Sequence, residues 1–308
     1  MNIYHYTSAE GLKGILFSQS IWMTNIKYLN DHQELQHAIS ILKQGVIQSE
    51  IDKFCNDKFP VEEARLYSEM HMKALIAYLD TIDERSPVFV TSFITERDYL
   101  RQWMSYCSKG GYSIGFDEAN ISNNISLNRA ERIDIRHVSY KNNVKLTHSF
   151  KNKFNAYLLV LSDAVTQSLK DAKLDINKAV SNFKAKIQEL SPEILEIFED
   201  FAKELMLTTS YQKNSHFEDE KEVRISCIGN NTNDKANQSN TNNRVNFYSK
   251  GNLLVPYIPF HFEKEAVTEV IIGPNIDQRL AIDSLKRLKE SHEYNFEINV
   301  SEAPLRTF

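Results

Sequence analysis

The sequence predicts an α+β fold: a mixed, mostly antiparallel sheet carrying a large helical insertion. Two observations predict it. Short runs rich in β-branched and aromatic residues stand near both ends of the 308-residue chain. Between them lie two stretches, 31–84 and 147–213, whose apolar residues recur at helical spacing. Strands at both ends imply one sheet shared between the N-terminal and C-terminal parts. A single domain with helical insertions is therefore expected, with a mobile Asn-rich loop at 229–244.

Residues 2–8 read as a short strand, and Ser8 then caps a helix over 10–17 with Leu12, Ile15 and Leu16 on one face. Residues 21–23 form a second strand. Asn30 and Asp31 close a loop, and Asp31 starts a helix carrying Leu35, Ile39, Leu42, Val46 and Phe54. A further helix covers 61–82, with Leu66, Met70, Ile76 and Leu79 as its apolar stripe and Glu62 and Glu63 in its first turn. The run 87–94 is a strand buried on both faces at its start. A short helix over 97–107 follows, then a Gly110-Gly111 turn and strands at 112–116 and 132–140. In the long helical block Phe150, Phe154, Tyr157, Leu161, Val165 and Leu169 step by three or four, and Ser191-Pro192-Glu193 opens another helix. The remainder reads as strands at 222–228, 245–247, 253–258 and 267–272, a helix over 277–292 and a last strand at 296–300.

Composition narrows the function classes. With 36 Lys and Arg against 41 Asp and Glu, net charge is −5, which argues against a surface given over entirely to nucleic acid. No apolar run approaches the roughly 20 residues that span a bilayer, and residues 1–7 do not read as a secretory leader. Three dispersed cysteines (Cys55, Cys107 and Cys227) without a CxxC fit a reduced cytoplasmic protein and leave out a cysteine zinc site.

Four groups of residues are candidates for chemistry. Tyr4-His5-Tyr6-Thr7 puts His5 and Thr7 on one strand face, where His5 is either a hydrogen-bonding or basic group or a structural histidine. Glu220, Glu222 and Arg224 alternate onto one face of a strand, as charge-stabilising carboxylates or as a salt-bridged edge. Trp103 and Tyr106 are one helical turn apart and line a pocket for a flat ring or fill core. The stretch 129–153 holds seven Lys or Arg against two acids and contacts phosphates or faces solvent. A metal site is not expected: His32 and His37 are wrongly spaced for one helix face, and HExxH is absent. Phosphate-loop, dinucleotide-binding, GxSxG and kinase signatures are absent as well.

A set of motifs recurs in order: YHYTS from Tyr4, GLKGIL from Gly11, IWMTN from Ile21, then Leu29-Asn30-Asp31 and Glu34. VTSFIT from Val90, RQWMSY from Arg101, GGYSIGFD from Gly110, EKEVRI from Glu220 and EVIIGP from Glu269 continue it. On these residues the chain resembles the bacterial domain of unknown function 2971 family. The resemblance runs through 4–34, 88–116, 220–225 and 267–274, with the helical block and the Asn-rich loop outside it. Where that family commonly has Asn-Asp-Pro-x-Glu, His32 stands in place of the proline.

His5 near a strand end, followed by GLKGIL, is also similar to the start of ADP-ribosyltransferases, including the DNA-modifying toxin group. Glu220-Lys221-Glu222 resembles their Glu-x-Glu strand, and Thr91-Ser92 a middle strand. The resemblance implies an ADP-ribosyltransferase-like sheet and NAD as substrate. Glu222 would hold the nicotinamide ribose 2′-hydroxyl and stabilise an oxocarbenium-like centre, and Glu220 would activate the acceptor. His5 would bond the adenosine-side ribose, and Tyr6, Tyr28 or Trp103 would stack on nicotinamide. Thr7, Tyr106 and Arg224 complete the cofactor-binding set, with Arg224 alternatively pairing Glu222. The expected function is an NAD-consuming enzyme with an unknown protein or nucleic-acid acceptor, acting as a toxin or phage-defence effector. A non-enzymatic nucleotide- or protein-binding module and a nucleic-acid-acting hydrolase are the alternatives.

Overall fold

Alternating apolar positions from Asn2 make β1 (Asn2–Thr7), and the Ser8 hydroxyl then accepts the Gly11 N–H at 3.1 Å to start α1 (Ala9–Ser18). Leu12, Ile15 and Leu16 are buried as expected, and a left-handed Gln19 turns the chain into β2 (Ser20–Asn25). The computed structural model describes residues 1–29, 40, 45–82, 87–107, 110–128, 131–140, 148–186, 191–229, 245–274 and 276–304. The Asp31 cap, Leu35, Ile39, Leu42, His32, Glu34, His37, most of the Asn-rich loop and part of the basic stretch lie outside the described residues.

The helices α2 (Val46–Lys58) and α3 (Val61–Ile82) come next, followed by β3 (Val88–Ile94), α4 (Leu100–Tyr106), β4 (Tyr112–Asp117), α5 (Glu118–Asn123) and β5 (Glu131–His137). The helical block resolves into α6 (His148–Asp171), α7 (Ile176–Lys186) and α8 (Pro192–Thr209). The chain closes with β6 (Glu222–Ile228), β7 (Asn246–Lys250), β8 (Leu253–His261), β9 (Val267–Ile272), α9 (Gln278–Ser291) and β10 (Glu297–Val300).

The fold is α+β with a mixed, mostly antiparallel sheet, as predicted. Its path runs β10-β9-β4-β1-β3-β2-β8-β7; β6 pairs β3 and β5, and among the strands of the described residues β10 and β9 pair in parallel while the rest pair antiparallel. N-terminal and C-terminal strands do interleave: β2 pairs β8, and β4 pairs β9. One junction positions the site. Along one edge β3 pairs β6 throughout, from Val88↔Ile228 to Ile94↔Glu222. Its other edge is shared. β2 pairs only at Thr24↔Val90 and Asn25↔Phe89, whereas β1 pairs only at Tyr4↔Ile94. β1 continues toward β4 and β2 toward β8, so the sheet forks opposite the middle of β3.

Two large cores result. One lies against the sheet and takes in α1 and α9. The other is made by α2, α3, α6, α7 and α8, with Phe154 stacked on Phe201 at 4.9 Å. The predicted α6 stripe from Phe150 to Leu169 is buried along its whole length. Two readings are corrected. The buried face of α3 runs through Tyr67, Met70, Ala74, Leu75 and Tyr78, whereas Leu66 and Ile76 are only partly covered at the edge of this core, because α2, α6, α7 and α8 all pack on the helix. Ser191 stands at the start of α8 with Pro192 behind it, but its side chain caps no backbone N–H. No helix among the described residues is long and apolar enough to cross a membrane.

Candidate functional site

The fork opens a cleft of about 700 Å³, within the size range of small-molecule sites. Ser92 lies where neither β1 nor β2 pairs with β3. Its carbonyl instead accepts a proton from His5 Nδ1 at 3.0 Å. A carbonyl only accepts, so this bond selects the Nδ1–H tautomer and leaves Nε2 as an acceptor. Burial lowers the imidazole pKa from its ordinary 6.5, with the Ser92 carbonyl opposing in part, so His5 is neutral at pH 7.

Across β3, β6 contributes a buried ion pair. Arg224 Nε donates to Glu222 Oε1 at 2.6 Å and its second terminal nitrogen to Oε2 at 3.0 Å; the other donates to the Ser210 carbonyl at 2.7 Å. Glu222 and Arg224 are 4% and 1% exposed. Lys213 joins them, donating to Glu222 at 3.1 Å and to Glu220 at 2.8 Å. Burial pushes the Glu222 carboxyl up; Arg224, Lys213 and the Ser92 hydroxyl outweigh it and hold it down at about 2. The Tyr140 hydroxyl accepts the Glu222 backbone N–H at 2.9 Å, which fixes the start of the strand. Glu222 is thus an ionised, immobile carboxylate at the wall of the cleft.

Of the residues singled out from the sequence, His5, Tyr6, Tyr106, Glu220, Glu222 and Arg224 line this one cleft, and so does Tyr28. Two do not. Trp103 is fully buried: its indole N–H donates to Asp98 at 2.5 Å, its ring lies edge-on to Tyr6 at 4.7 Å, and the Gly273 backbone packs against it. Thr7, the last residue of β1, is not among the residues that line the cleft. The shared face expected for Trp103 and Tyr106 is therefore split: one ring goes to the core and the other to the cleft.

Glu220 is also corrected. It ends a 3₁₀ turn (Ser215–Glu220), and Lys221 is left-handed at φ 43°, so β6 begins only at Glu222. Lys213, not strand alternation, brings the Glu220 carboxylate beside Glu222. Tyr6 is held through its hydroxyl, which accepts the Tyr99 N–H at 2.8 Å and donates to the Arg97 carbonyl at 3.1 Å.

Several cleft residues were not read from the sequence as site residues. Lys213 sits in the turn after α8, where its N–H donates to the Ser139 carbonyl at 3.0 Å, and no local motif marks it. Ser92 lies inside the VTSFIT motif, which was the available signal. Phe217 lies under the Lys213 ammonium at 4.8 Å, and Trp22 and Tyr248 form the far wall.

No curated protein and no solved structure matches the chain. One family model does. Its stretch includes Tyr106, Lys213, Glu220, Glu222 and Arg224 and runs through α6 to α8, so the helical block lies inside the family match and not outside it, as the motifs implied. Over residues 102–225 the chain matches the family described as a protein of unknown function, DUF2971, the family its motifs resemble.

Proposed function

We propose that the cleft binds NAD and that the chain cleaves its nicotinamide–ribose bond. The observation that carries this reading is the convergence of His5 and Glu222 on Ser92 within one cleft. The C1′–N bond breaks, its electron pair leaves with nicotinamide, and positive charge develops at C1′ and the ring oxygen. Glu222 is held ionised by Arg224 and Lys213 and so stands ready to stabilise that charge and accept from the ribose 2′-hydroxyl. An acceptor oxygen or nitrogen then bonds to C1′, and its proton passes to Glu220 or to solvent. The His5 Nε2 accepts from a hydroxyl of the second ribose. Tyr106 and Tyr28 supply flat surfaces for the nicotinamide ring.

A second reading has its own observation. Arg224 and Lys213 occupy both Glu222 oxygens, as expected of a binding module whose buried pair is structural. Nicotinamide release from NAD separates the two. Release by the intact chain that is lost in Glu222→Ala and in His5→Ala, with both variants folded, supports the enzyme. Saturable NAD binding with no release, in the presence and absence of nucleic acid and cell lysate, supports the module.

A further inference from the structure

The chain has two tryptophans, and they do opposite things. Trp103 is fully buried, whereas Trp22 is 45% exposed. Trp22 is nevertheless held. It stacks on Tyr257 with centroids 4.1 Å apart and planes at 26°, and Tyr248 lies 5.3 Å away at 36°. The three rings come from β2, β8 and β7, which are adjacent in the sheet. Trp22 and Tyr248 line the cleft; Tyr257 is not part of its wall and backs Trp22 from behind. A large ring ordered by a neighbour and left open to a cleft is a preformed stacking surface.

Its position says which ring it takes. Glu222 belongs to β6, on one edge of β3, and Trp22 to β2, beyond the opposite edge. A dinucleotide with its nicotinamide ribose at Glu222 carries its other base away from that carboxylate, toward β2. We infer that Trp22, backed by Tyr257 and flanked by Tyr248, is the stacking site for the purine ring of the ligand. The inference rests on the NAD reading of the cleft and names the residue that selects a purine nucleotide over a nicotinamide mononucleotide.

The test uses tryptophan emission, because Trp22 is the solvent-facing reporter. ADP-ribose is titrated into the intact chain and into Trp22→Phe and Trp22→Ala, with thermal unfolding checking each variant's fold. The expected result is quenching in the intact chain, no quenching in Trp22→Phe, and binding by Trp22→Ala weakened roughly tenfold or more, read by calorimetry. Trp22→Phe keeps most of the affinity because a ring is retained. Nicotinamide mononucleotide binds Trp22→Ala and the intact chain alike. Equal ADP-ribose affinity in Trp22→Ala and the intact chain, ADP-ribose binding that leaves emission unmoved, or no ADP-ribose binding at all overturns the inference. Quenching by ADP-ribose without NAD cleavage leaves the purine site standing and removes the cleavage reading. Cleavage by Trp22→Ala at an unchanged KM does the reverse.

Discussion

His5 and Glu222 are tied to the same residue of β3: the Ser92 carbonyl accepts the His5 Nδ1 proton at 3.0 Å, and the Ser92 hydroxyl bonds the Glu222 carboxylate. The two bonds use different atoms, so one substitution separates them. Ser92→Ala removes the hydroxyl and keeps the carbonyl. The Glu222 carboxyl pKa is expected to rise and NAD cleavage to fall roughly tenfold or more, the scale of one lost hydrogen bond to a buried charge. The His5 ring resonances in an NMR titration should be unmoved. A shift of His5 equal to that in a β3-disrupting variant would show that the two sides are not separable.

The Glu222–Arg224 pair sets an acid limit on stability. Its folded pKa of about 2 lies below the ordinary 4.5, so the unfolded chain takes up the proton first. The stabilisation is complete above about 4.5 and is lost as pH falls from there toward 2. Arg224→Met leaves the buried carboxylate with Lys213 and the Ser92 hydroxyl but without its bidentate cation, and is expected to cost roughly 3–5 kcal/mol. The double variant Glu222→Leu with Arg224→Met should cost less than Arg224→Met alone, because both charges leave together. Urea midpoints at pH 7 and pH 4 check both statements.

Trp103 is expected to act on stability and not on ligand binding. A methyl at Gly273 would lie 2.8 Å from the Gly111 carbonyl and 2.9 Å from the Trp103 ring, so Gly273→Ala should cost about 1–3 kcal/mol. Trp103→Phe should lower the melting temperature and leave the Kd for ADP-ribose unchanged. A weakened Kd at an unchanged melting temperature would return Trp103 to the site.

The helical core carries its own titrating group. His71 is fully buried; its Nδ1 donates to the Tyr67 carbonyl at 2.7 Å, and its Nε2 has no hydrogen-bond partner among the described residues. Burial holds it down at about 4 against an ordinary 6.5. The unfolded state therefore protonates first, and stability is lost as pH falls from 6.5 toward 4. His71→Leu should be near neutral at pH 7 and gain roughly 2 kcal/mol over the unsubstituted chain at pH 5. Identical pH profiles for the two proteins would count against this.

Much of the fold was legible locally. The boundaries of α3 match the expected 61–82, those of β6 match 222–228 and those of β9 match 267–272, because hydrophobic period and turn residues act over a few positions. The pairing of the chain's two ends followed from strands at both ends. The site was legible in part. His5, Tyr6, Tyr106, Glu220, Glu222 and Arg224 carried their chemistry in residue type and spacing, and the structure brings them to one cleft. Strand alternation misread Glu220 because Lys221 is left-handed and the strand begins only at Glu222, two residues after Glu220.

By itself the sequence determined which side chains were available, the periods that make helices and strands, and the α+β class. Only the tertiary structure decided the fork at β3, the burial of Trp103, the exposure of Trp22 and the arrival of Lys213 between two carboxylates. The reason is physical. Helical and strand periods are set by neighbours in sequence, whereas an ion pair or a cleft depends on which distant strands share an edge. Long-range register carries no local signature, and every feature that makes this site rests on it.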